Sequence, residues 1–344
     1  MIAYYTKTLY SIIKNDVLVL PSRMLVFFFI VAIICLPVVS NDPYLLRIII
    51  LACIYAIFTA SWDLLSGFTG QMSFGHAFFF GVSAYAAALL NRHLHFPPWA
   101  SIPIGALASV VAGLIIGIPC LRLRGTYLAL TTLSFPIILL GIVHAFPDIT
   151  GGELGISGLD RICRSRIGTY YIVAVSMLLS IATMWKLTSS KFGILLHAIR
   201  EDEIALRASG INTTRYKIMA FCLSAFFAGI AGGLYAHFMR ITGPSTLEVA
   251  LSFQVVIWGV FGGIATIWGS AGAVFILFPI MEFFRFWPEF RMLIFSFIII
   301  FILLYMPKGL LPWLRDQVEK ECPRCKKKNI SFRKTCRICT ATLG

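Results

Sequence analysis

The sequence contains few charged residues. Only 13% of its 344 residues are Asp, Glu, Lys or Arg, against roughly 25% in a typical soluble domain, while 59% are hydrophobic. This composition excludes an ordinary pair of water-soluble domains, which the length alone would suggest. The apolar residues fall in repeated blocks separated by short polar stretches, which is the spacing of membrane-spanning helices. We therefore predict an all-α integral membrane protein with some broken helices.

Acidic residues are scarcer than basic ones, at 15 against 29, and the formal net charge is +14. Such a charge is typical of nucleic-acid-binding proteins, but basic residues that flank apolar spans more often set membrane orientation. We therefore expect no nucleic-acid partner. The sequence also has no G-x-x-x-x-G-K-[ST] phosphate loop, no H-E-x-x-H, no G-x-S-x-G and no pair of Asp within a span. These absences argue against an intramembrane enzyme and against ATP binding by this chain.

Ten apolar stretches are candidates to cross a bilayer, which takes about 20 residues each. They lie between an N-terminal segment (1–23) and a C-terminal tail (313–344), so that the membrane domain covers residues 24–312. The eighth and ninth stretches run together and are the least separable. The ten are Met24–Val39, Tyr44–Ala60, Phe74–Leu90, Ile102–Ile118, Tyr127–Phe146, Tyr170–Trp185, Ile218–Phe238, Ala250–Ile264, Ala265–Ile280 and Met292–Met306.

An even number of spans puts both termini on one side of the membrane. Placing them in the cytoplasm puts 21 of the 29 Lys and Arg residues on that side, as the positive-inside rule favours. Ten of these lie from Lys308 onward, however, and three arginines, Arg161, Arg164 and Arg166, fall on the opposite side. The charge pattern therefore favours cytoplasmic termini without deciding the orientation.

Glycines interrupt the apolar pattern at residues 67–70 and at Gly259, Gly262 and Gly263. Small residues let helices pack closely in lipid. Alternatively, they mark a discontinuous helix, whose free amides can hold a substrate carboxylate inside the membrane. Polar side chains at one such helix start are our candidates for a substrate pathway, although a lone His at a span end is more often structural. The candidates are Gly70, Gln71, Ser73 and His76.

A polar loop, residues 189–217, joins the sixth and seventh predicted spans. Ser189 or Ser190 can cap a helix, and Gly210 can end it before Thr213 caps the next one. We predict that this amphipathic segment has one apolar face and one solvated face. We expect nothing of its own chain to pack on it, so that a peripheral protein could bind it. The predicted apolar face comprises Ile194, Leu195, Ala198, Ile204 and Leu206, and the wet residues are Arg200, Glu201, Asp202 and Glu203. The alternative is a helix lying on lipid headgroups, but these usually carry a stronger Lys and Arg bias.

The tail carries Cys322-Pro-Arg-Cys325 and, after ten intervening residues, Cys336-Arg-Ile-Cys339. Two close C-x-x-C pairs fit the tetrahedral site of a structural zinc. Two disulfides are the alternative, but they require an oxidising compartment, whereas the predicted topology places the tail in the cytoplasm. We therefore predict a small C-terminal zinc ribbon with Cys322, Cys325, Cys336 and Cys339 as ligands.

Three stretches together resemble the permeases of branched-chain amino acid ABC importers, specifically their LivM-like subunit. The similarity spans roughly residues 63–312, and the tail is an addition to the family pattern. The stretches are DLLSGFTGQMSFGHAFFFGVSAYAAALL (63–90), LRLRGTYLALTTLSF (121–135) and HAIREDEIALRASGINTTRYKIMAFCLSAFFAGIAGGLYA (197–236).

The resemblance implies a prokaryotic inner-membrane assembly of this chain with a homologous second permease subunit, two cytoplasmic ATP-binding subunits and an extracytoplasmic amino-acid-binding protein. ATP would then be hydrolysed on another chain, with Arg200, Glu201, Asp202, Glu203 and Gly210 in the segment that docks on it. Related permeases carry branched-chain or other neutral amino acids, or urea and short-chain amides. A secondary transporter is the other alternative, but ion coupling favours a membrane-embedded acidic residue, and Asp63, Glu248 and Glu282 fall near predicted span ends.

Overall fold

The computed structural model describes residues 21–39, 42–120, 123, 125–284, 296–297, 300, 304–305, 309–325, 328–330, 335–336, 339 and 342. The predicted span Met292–Met306 and the segment 1–23 lie mostly outside these residues. Over the described part, the chain is mainly helical, as the sequence predicts.

Thirteen α-helices are described. They are α1 (Pro21–Val39), α2 (Pro43–Trp62), α3 (His76–Leu94), α4 (Pro98–Cys120), α5 (Thr126–Ala145), α6 (Pro147–Thr150), α7 (Arg166–Thr188), α8 (Lys191–Glu201), α9 (Glu203–Ala208), α10 (Thr213–Met239), α11 (Val249–Gly262), α12 (Ile267–Phe283) and α13 (Leu310–Val318). A π-helical turn (Asp63–Gly67) continues α2, and a 3₁₀ turn (Pro244–Leu247) precedes α11.

Four short strands form two antiparallel pairs. Strand β1 (Ile156–Ser157) pairs with β2 (Ile241–Thr242), and β3 (Glu319–Glu321) pairs with β4 (Lys328–Ile330) in the tail. The first pair ties the loop before α7 to the end of α10, and so fixes the connection between two long helices.

Five described helices are long and apolar enough to cross a membrane. They are α2 with its π turn, α4, α5, α7 and α10. A sixth span results if α11 and α12 count as one. The predicted total of ten spans is therefore not confirmed over the described residues, although several spans in one chain are.

The predicted eighth and ninth spans form a bent pair. Helices α11 and α12 meet at an angle of 113° across a break of four residues. At about 1.5 Å per residue, α11 is only about 21 Å long, less than the roughly 30 Å of hydrocarbon that a straight span crosses. Gly263 (φ 108°) and Ala265 (φ 61°) make the turn, so the glycines near residue 260 do interrupt a helix.

Small residues permit the close helix packing at the centre of the molecule. Helix α10 packs against α4, α3 and α2. A Cβ atom added at Gly232 would lie 2.1 Å from the backbone oxygen of Phe80, and one at Gly229 would lie 2.3 Å from Oγ of Ser109. Because a side chain at either position would push the helices apart, glycine here serves packing.

Candidate functional site

The loop 189–217 folds into two short helices. The side chain of Ser190 accepts a hydrogen bond from the backbone N–H of Phe192 and caps α8, as one of the two predicted serines should. Asp202, in extended conformation, ends α8 and caps α9, because its Oδ1 accepts from the N–H groups of Ile204 (2.9 Å) and Ala205 (3.0 Å). Asn212, rather than the predicted Thr213, caps α10.

The predicted apolar face of this loop is partly wrong. The buried residues of α8 are Gly193, Leu196 and Ile199, and they pack on the long helices of the same chain, so the loop does have a core of its own to lie on. Ile194 and Ile204, two members of the predicted apolar face, are 67% and 69% exposed, so this part of the face is left largely uncovered by the chain itself, as predicted. The two isoleucines consequently present apolar surface away from the permease body, on the side where a partner could bind.

Glu203 was predicted to be solvated, but it is the centre of an ion-pair network. Its side chain is only 15% exposed and contacts the ammonium of Lys217 at 2.7 Å and the guanidinium of Arg207 at 2.6 Å. Thr213 also donates to it at 3.2 Å. Desolvation raises the pKa of Glu203, but the hydrogen bond and charge of Lys217, with Arg207 and Thr213, outweigh it and hold the pKa below its usual value. The network ties α9 to the start of α10.

The four-residue spacing of Glu203 and Arg207 is a helical ion-pair signal that could have been read from the sequence. The contact with Lys217 could not, because it joins two helices across Gly210. That glycine has a left-handed backbone (φ 83°), which costs other residues energy, so the predicted helix end at Gly210 is confirmed.

Arg200 joins the same loop to the first helix interruption. Its Nη1 donates to the backbone oxygen of Gly67 at 2.8 Å, and the rings of His197 and Phe68 lie 4.9 Å apart. Glu201 and Asp202 are exposed. Of the loop residues singled out in the sequence, Arg200 is exposed overall but contacts the interruption after α2 through its guanidinium, Glu203 bridges two helices, and Glu201 and Asp202 are exposed.

The first interruption also contacts the second. Asp63, in the π turn, is fully buried, and its Oδ1 accepts from the backbone N–H of Ala265 at 2.7 Å. Asp63 lies four residues before the end of the 25-residue helix Pro43–Gly67, near a span end as predicted, but the fold encloses its carboxylate. This span therefore contains a buried acidic residue. The argument against an ion-coupled transporter, which rested on the lack of such a residue, no longer holds.

Three of the predicted pathway residues, Gly70, Gln71 and Ser73, follow this turn in a non-helical stretch (70–75), and the fourth, His76, begins α3. Gly70 takes a left-handed backbone (φ 72°), and Gln71, Ser73 and His76 are all buried. His76 Nε2 lies 2.8 Å from Oγ of Ser61, and no hydrogen-bond partner is described for its Nδ1 or for Oε1 of Gln71. Their role in a pathway stays a prediction.

The four cysteines of the tail form a cluster. The Sγ atoms of Cys322, Cys325, Cys336 and Cys339 all lie within 4.8 Å of one another. The closest pairs are Cys322 with Cys339 at 3.4 Å and Cys325 with Cys336 at 3.5 Å. A disulfide bond is about 2.05 Å long, whereas tetrahedral zinc with Zn–S distances of about 2.3 Å places sulfurs roughly 3.8 Å apart. The spacing fits a four-thiolate metal site and not two disulfides.

Comparison with known proteins gives one family. Residues 44–303 match the family described as branched-chain amino acid transport system / permease component. The chain is 32% identical over 302 residues to the high-affinity branched-chain amino acid transport system permease protein LivM of Salmonella typhimurium. The matched region covers 79% of this chain and 71% of the relative.

Two further relatives are also similar to the chain. The protein of the same name from Escherichia coli is 32% identical over 298 residues, 78% of this chain and 70% of the relative. A probable branched-chain amino acid transport permease protein LivH of Methanocaldococcus jannaschii is 26% identical over 202 residues, 55% of this chain and 64% of the relative. No solved structure matches the chain.

Proposed function

Because the chain belongs to the branched-chain amino acid transport system permease family, we propose that it is the membrane-spanning subunit of an ABC importer for branched-chain or related neutral amino acids. It is a multi-pass membrane protein and a transport permease component. The proposal adds a homologous second permease subunit, two ATP-binding subunits on the cytoplasmic side and an extracytoplasmic amino-acid-binding protein. ATP is then hydrolysed on separate chains, and the assembly lies in a prokaryotic inner membrane with both termini of this chain in the cytoplasm.

The contact of Arg200 with the carbonyl of Gly67 is the observation that carries this proposal. A loop that a peripheral ATPase moves needs a mechanical connection to the membrane core. Arg200 provides one to the interruption after α2, and the ion pair of Glu203 with Lys217 provides another to α10. Displacement of α8 and α9 would thus shift two long helices together, as a switch between outward-open and inward-open states requires.

The surface that binds the ATPase is the outward side of α8 and α9. It presents exposed Ile194 and Ile204 together with the exposed charges of Glu201 and Asp202. A pair of exposed isoleucines among charges is a small apolar anchor with a polar rim, the usual composition of a protein–protein interface. In this proposal Gly210 supplies the turn that separates the docking helix from α10.

Purification of the tagged chain from gently solubilised native membranes tests the proposal, with bound proteins identified by mass spectrometry. The test variant is Ile194→Glu with Ile204→Glu, which places charges in the proposed interface and leaves the contacts of Arg200 and Glu203 intact. The matched control is Leu154→Glu, because Leu154 is 86% exposed and lies in the connection between α6 and α7, outside the loop 189–217.

An ATPase that copurifies with the wild type and the control, and is lost from the double variant, supports the importer and its docking surface. If no ATPase copurifies with the wild type, the chain works without one, and a secondary transporter becomes the better explanation. If the ATPase is retained by the double variant, the docking surface lies elsewhere. Uptake of radiolabelled leucine and of urea by the same membranes separates the amino acid and amide substrates.

We also propose that the cysteine cluster binds one structural zinc ion. Cys322, Cys325, Cys336 and Cys339 would each supply a thiolate, and the metal would supply a crosslink between the two C-x-x-C turns. Hydrogen bonds from the backbone N–H groups of Cys325 and Arg324 lower the pKa of Cys322, which favours the thiolate that metal binding needs. Such a small unit has too few apolar residues to fold on a core alone.

A further inference from the structure

A cavity lined by arginines lies at the end of the molecule opposite the loop 189–217. Its volume is about 560 Å³, and its wall combines basic side chains with the apolar side chains of Leu46, Ile50 and Ile162. The arginines of the wall come from three separate parts of the chain. They are Arg47, Arg161, Arg164, Arg166 and Arg240.

The ends of three long helices place the cavity at the level of the membrane surface. Helices α2 and α7 begin at its wall, with Pro43 and Arg166, and α10 ends there with Met239. Each of these helices is a candidate membrane span. Because spans end where the hydrocarbon ends, the cavity lies at the depth of the lipid phosphate groups.

No ion pair with the arginines of this cavity is found among the described residues, and none of those that line it is acidic. The carboxylate of Asp160, next to Arg161 in the chain, accepts a hydrogen bond from Asn91 at 2.8 Å. The first turn of α7 adds the positive end of a 23-residue helix. Like charges at this density repel one another unless an anion lies between them.

Arg240 is held in place at the cavity wall. It has a left-handed backbone (φ 59°), a conformation that is unfavourable for most residues other than glycine. Its N–H donates to the carbonyl of Ala236 at 2.8 Å, and its Nε donates to the carbonyl of Leu159 at 3.0 Å. The guanidinium is thereby fixed through Nε, and within the described part of the chain no hydrogen bond is found for its terminal nitrogens.

We propose that this cavity binds a phosphate group, carried either by an anionic phospholipid or by free inorganic phosphate. Guanidinium groups match phosphate oxygens with paired, charge-assisted hydrogen bonds. The apolar part of the wall, Leu46, Ile50 and Ile162, would lie against the glycerol and first acyl carbons of a lipid. The site also accounts for the three arginines, Arg161, Arg164 and Arg166, that oppose the charge rule for membrane orientation, and it is independent of the substrate and the ATPase.

Native mass spectrometry of the full-length chain in detergent tests the site. Dioleoyl-phosphatidylglycerol is titrated against dioleoylglycerol, which has the same acyl chains and no phosphate. The test variant is Arg164→Gln with Arg166→Gln, and Arg47→Gln on α2 is a second, independent variant in case the first does not fold. The matched control is Arg92→Gln, an exposed arginine of α3 that does not line the cavity.

We expect the wild type to bind phosphatidylglycerol in preference to dioleoylglycerol, and each cavity variant to bind it at least roughly tenfold more weakly. The control should stay within about twofold of the wild type, as expected for a solvated charge. Competition by inorganic phosphate identifies free phosphate as the ligand, whereas persistence of the lipid in excess phosphate identifies phospholipid. Equal binding of the two lipids, or equal affinity of the cavity variants and the control, overturns the proposal.

Discussion

The carboxylate of Asp63 and the backbone N–H of Ala265 form a 2.7 Å hydrogen bond between two helix interruptions that lie 202 residues apart in the chain. Gly67 makes room for it, because a Cβ atom there would lie 2.0 Å from Oδ1 of Asp63. The π turn after α2 and the break between α11 and α12 are therefore one structural unit. Through Arg200, which donates to Gly67, that unit also contacts the loop 189–217.

We predict that Asp63→Ala destabilises the folded chain by about 1–3 kcal/mol, because it leaves the partly buried N–H of Ala265 without its acceptor. Asp63→Asn is the matched variant, since its amide oxygen can still accept from Ala265, and it should retain most of the stability. Thermal unfolding in detergent measures both. Equal losses in the two variants would show that the charge of Asp63, and not its hydrogen bond, is what matters.

Glu203→Gln should destabilise the loop by about 1–3 kcal/mol, because it removes the anion from Lys217, whose side chain is only 7% exposed. Combining it with Lys217→Met should recover part of the loss, since no buried cation then remains. Glu201→Gln, at a neighbouring exposed glutamate, is the control and should be close to neutral. Hydrogen exchange of residues 203–217 reports the effect locally. Protection that is unchanged in Glu203→Gln would contradict this assignment.

Acid should remove the same stabilisation. The pKa of Glu203 in the folded chain is lower than its ordinary value, so its contribution is complete above the unfolded pKa of about 4.3 and is lost as the pH falls through the folded pKa. The stability difference between wild type and Glu203→Gln should therefore be constant from neutral pH down to about pH 5 and narrow below it. A stability difference between wild type and Glu203→Gln that widens in acid would mean that folding raises the pKa of Glu203, and would refute the assignment.

Gly232→Ala should cost about 1–3 kcal/mol through overpacking, because the new methyl group would lie 2.1 Å from the backbone oxygen of Phe80. Gly141→Ala in α5 is the matched control, since none of the described residues outside its own helical turn lies within 4 Å of the added carbon. A helical glycine in open space gains up to about 1 kcal/mol on replacement by alanine. The unfolding temperatures of the two variants should thus move in opposite directions, and a fall in both would exclude packing as the cause.

Zinc analysis of the purified chain should give one metal ion per chain, lost in Cys336→Ser and on treatment with a strong chelator. We expect the tail alone to lose its structure, because metal binding and folding are coupled in such small units. The main unfolding transition of the membrane helices should stay in place. Cys222→Ser, outside the cluster, is the control for loss of a thiol, and a metal content that it alone lowers would exclude the proposed ligands.

The sequence alone determined the protein class and the cysteine cluster. Scarcity of charge and repeated apolar blocks require a medium without water, and paired C-x-x-C motifs predict a metal site. Glycine at residues 67–70 and 259–263 marked positions of close helix packing or of helix breaks, without deciding between the two. The three long stretches of residues 63–236 also indicated the family that the comparisons confirm. These features depend on composition or on short spacing, so they can be read along the chain.

Only the tertiary structure decided which side chains meet. The sequence placed Glu203 in water and Asp63 at a span end, but the fold brings Lys217 to the first and Ala265 to the second. In α8, the fold also buries Leu196 and leaves Ile194 exposed. The physical reason is that the apolar pattern of a helix shows which residues share a face, but it does not show which other helix packs against that face. The choice is made where separate helices pack and their few buried polar groups must find one another.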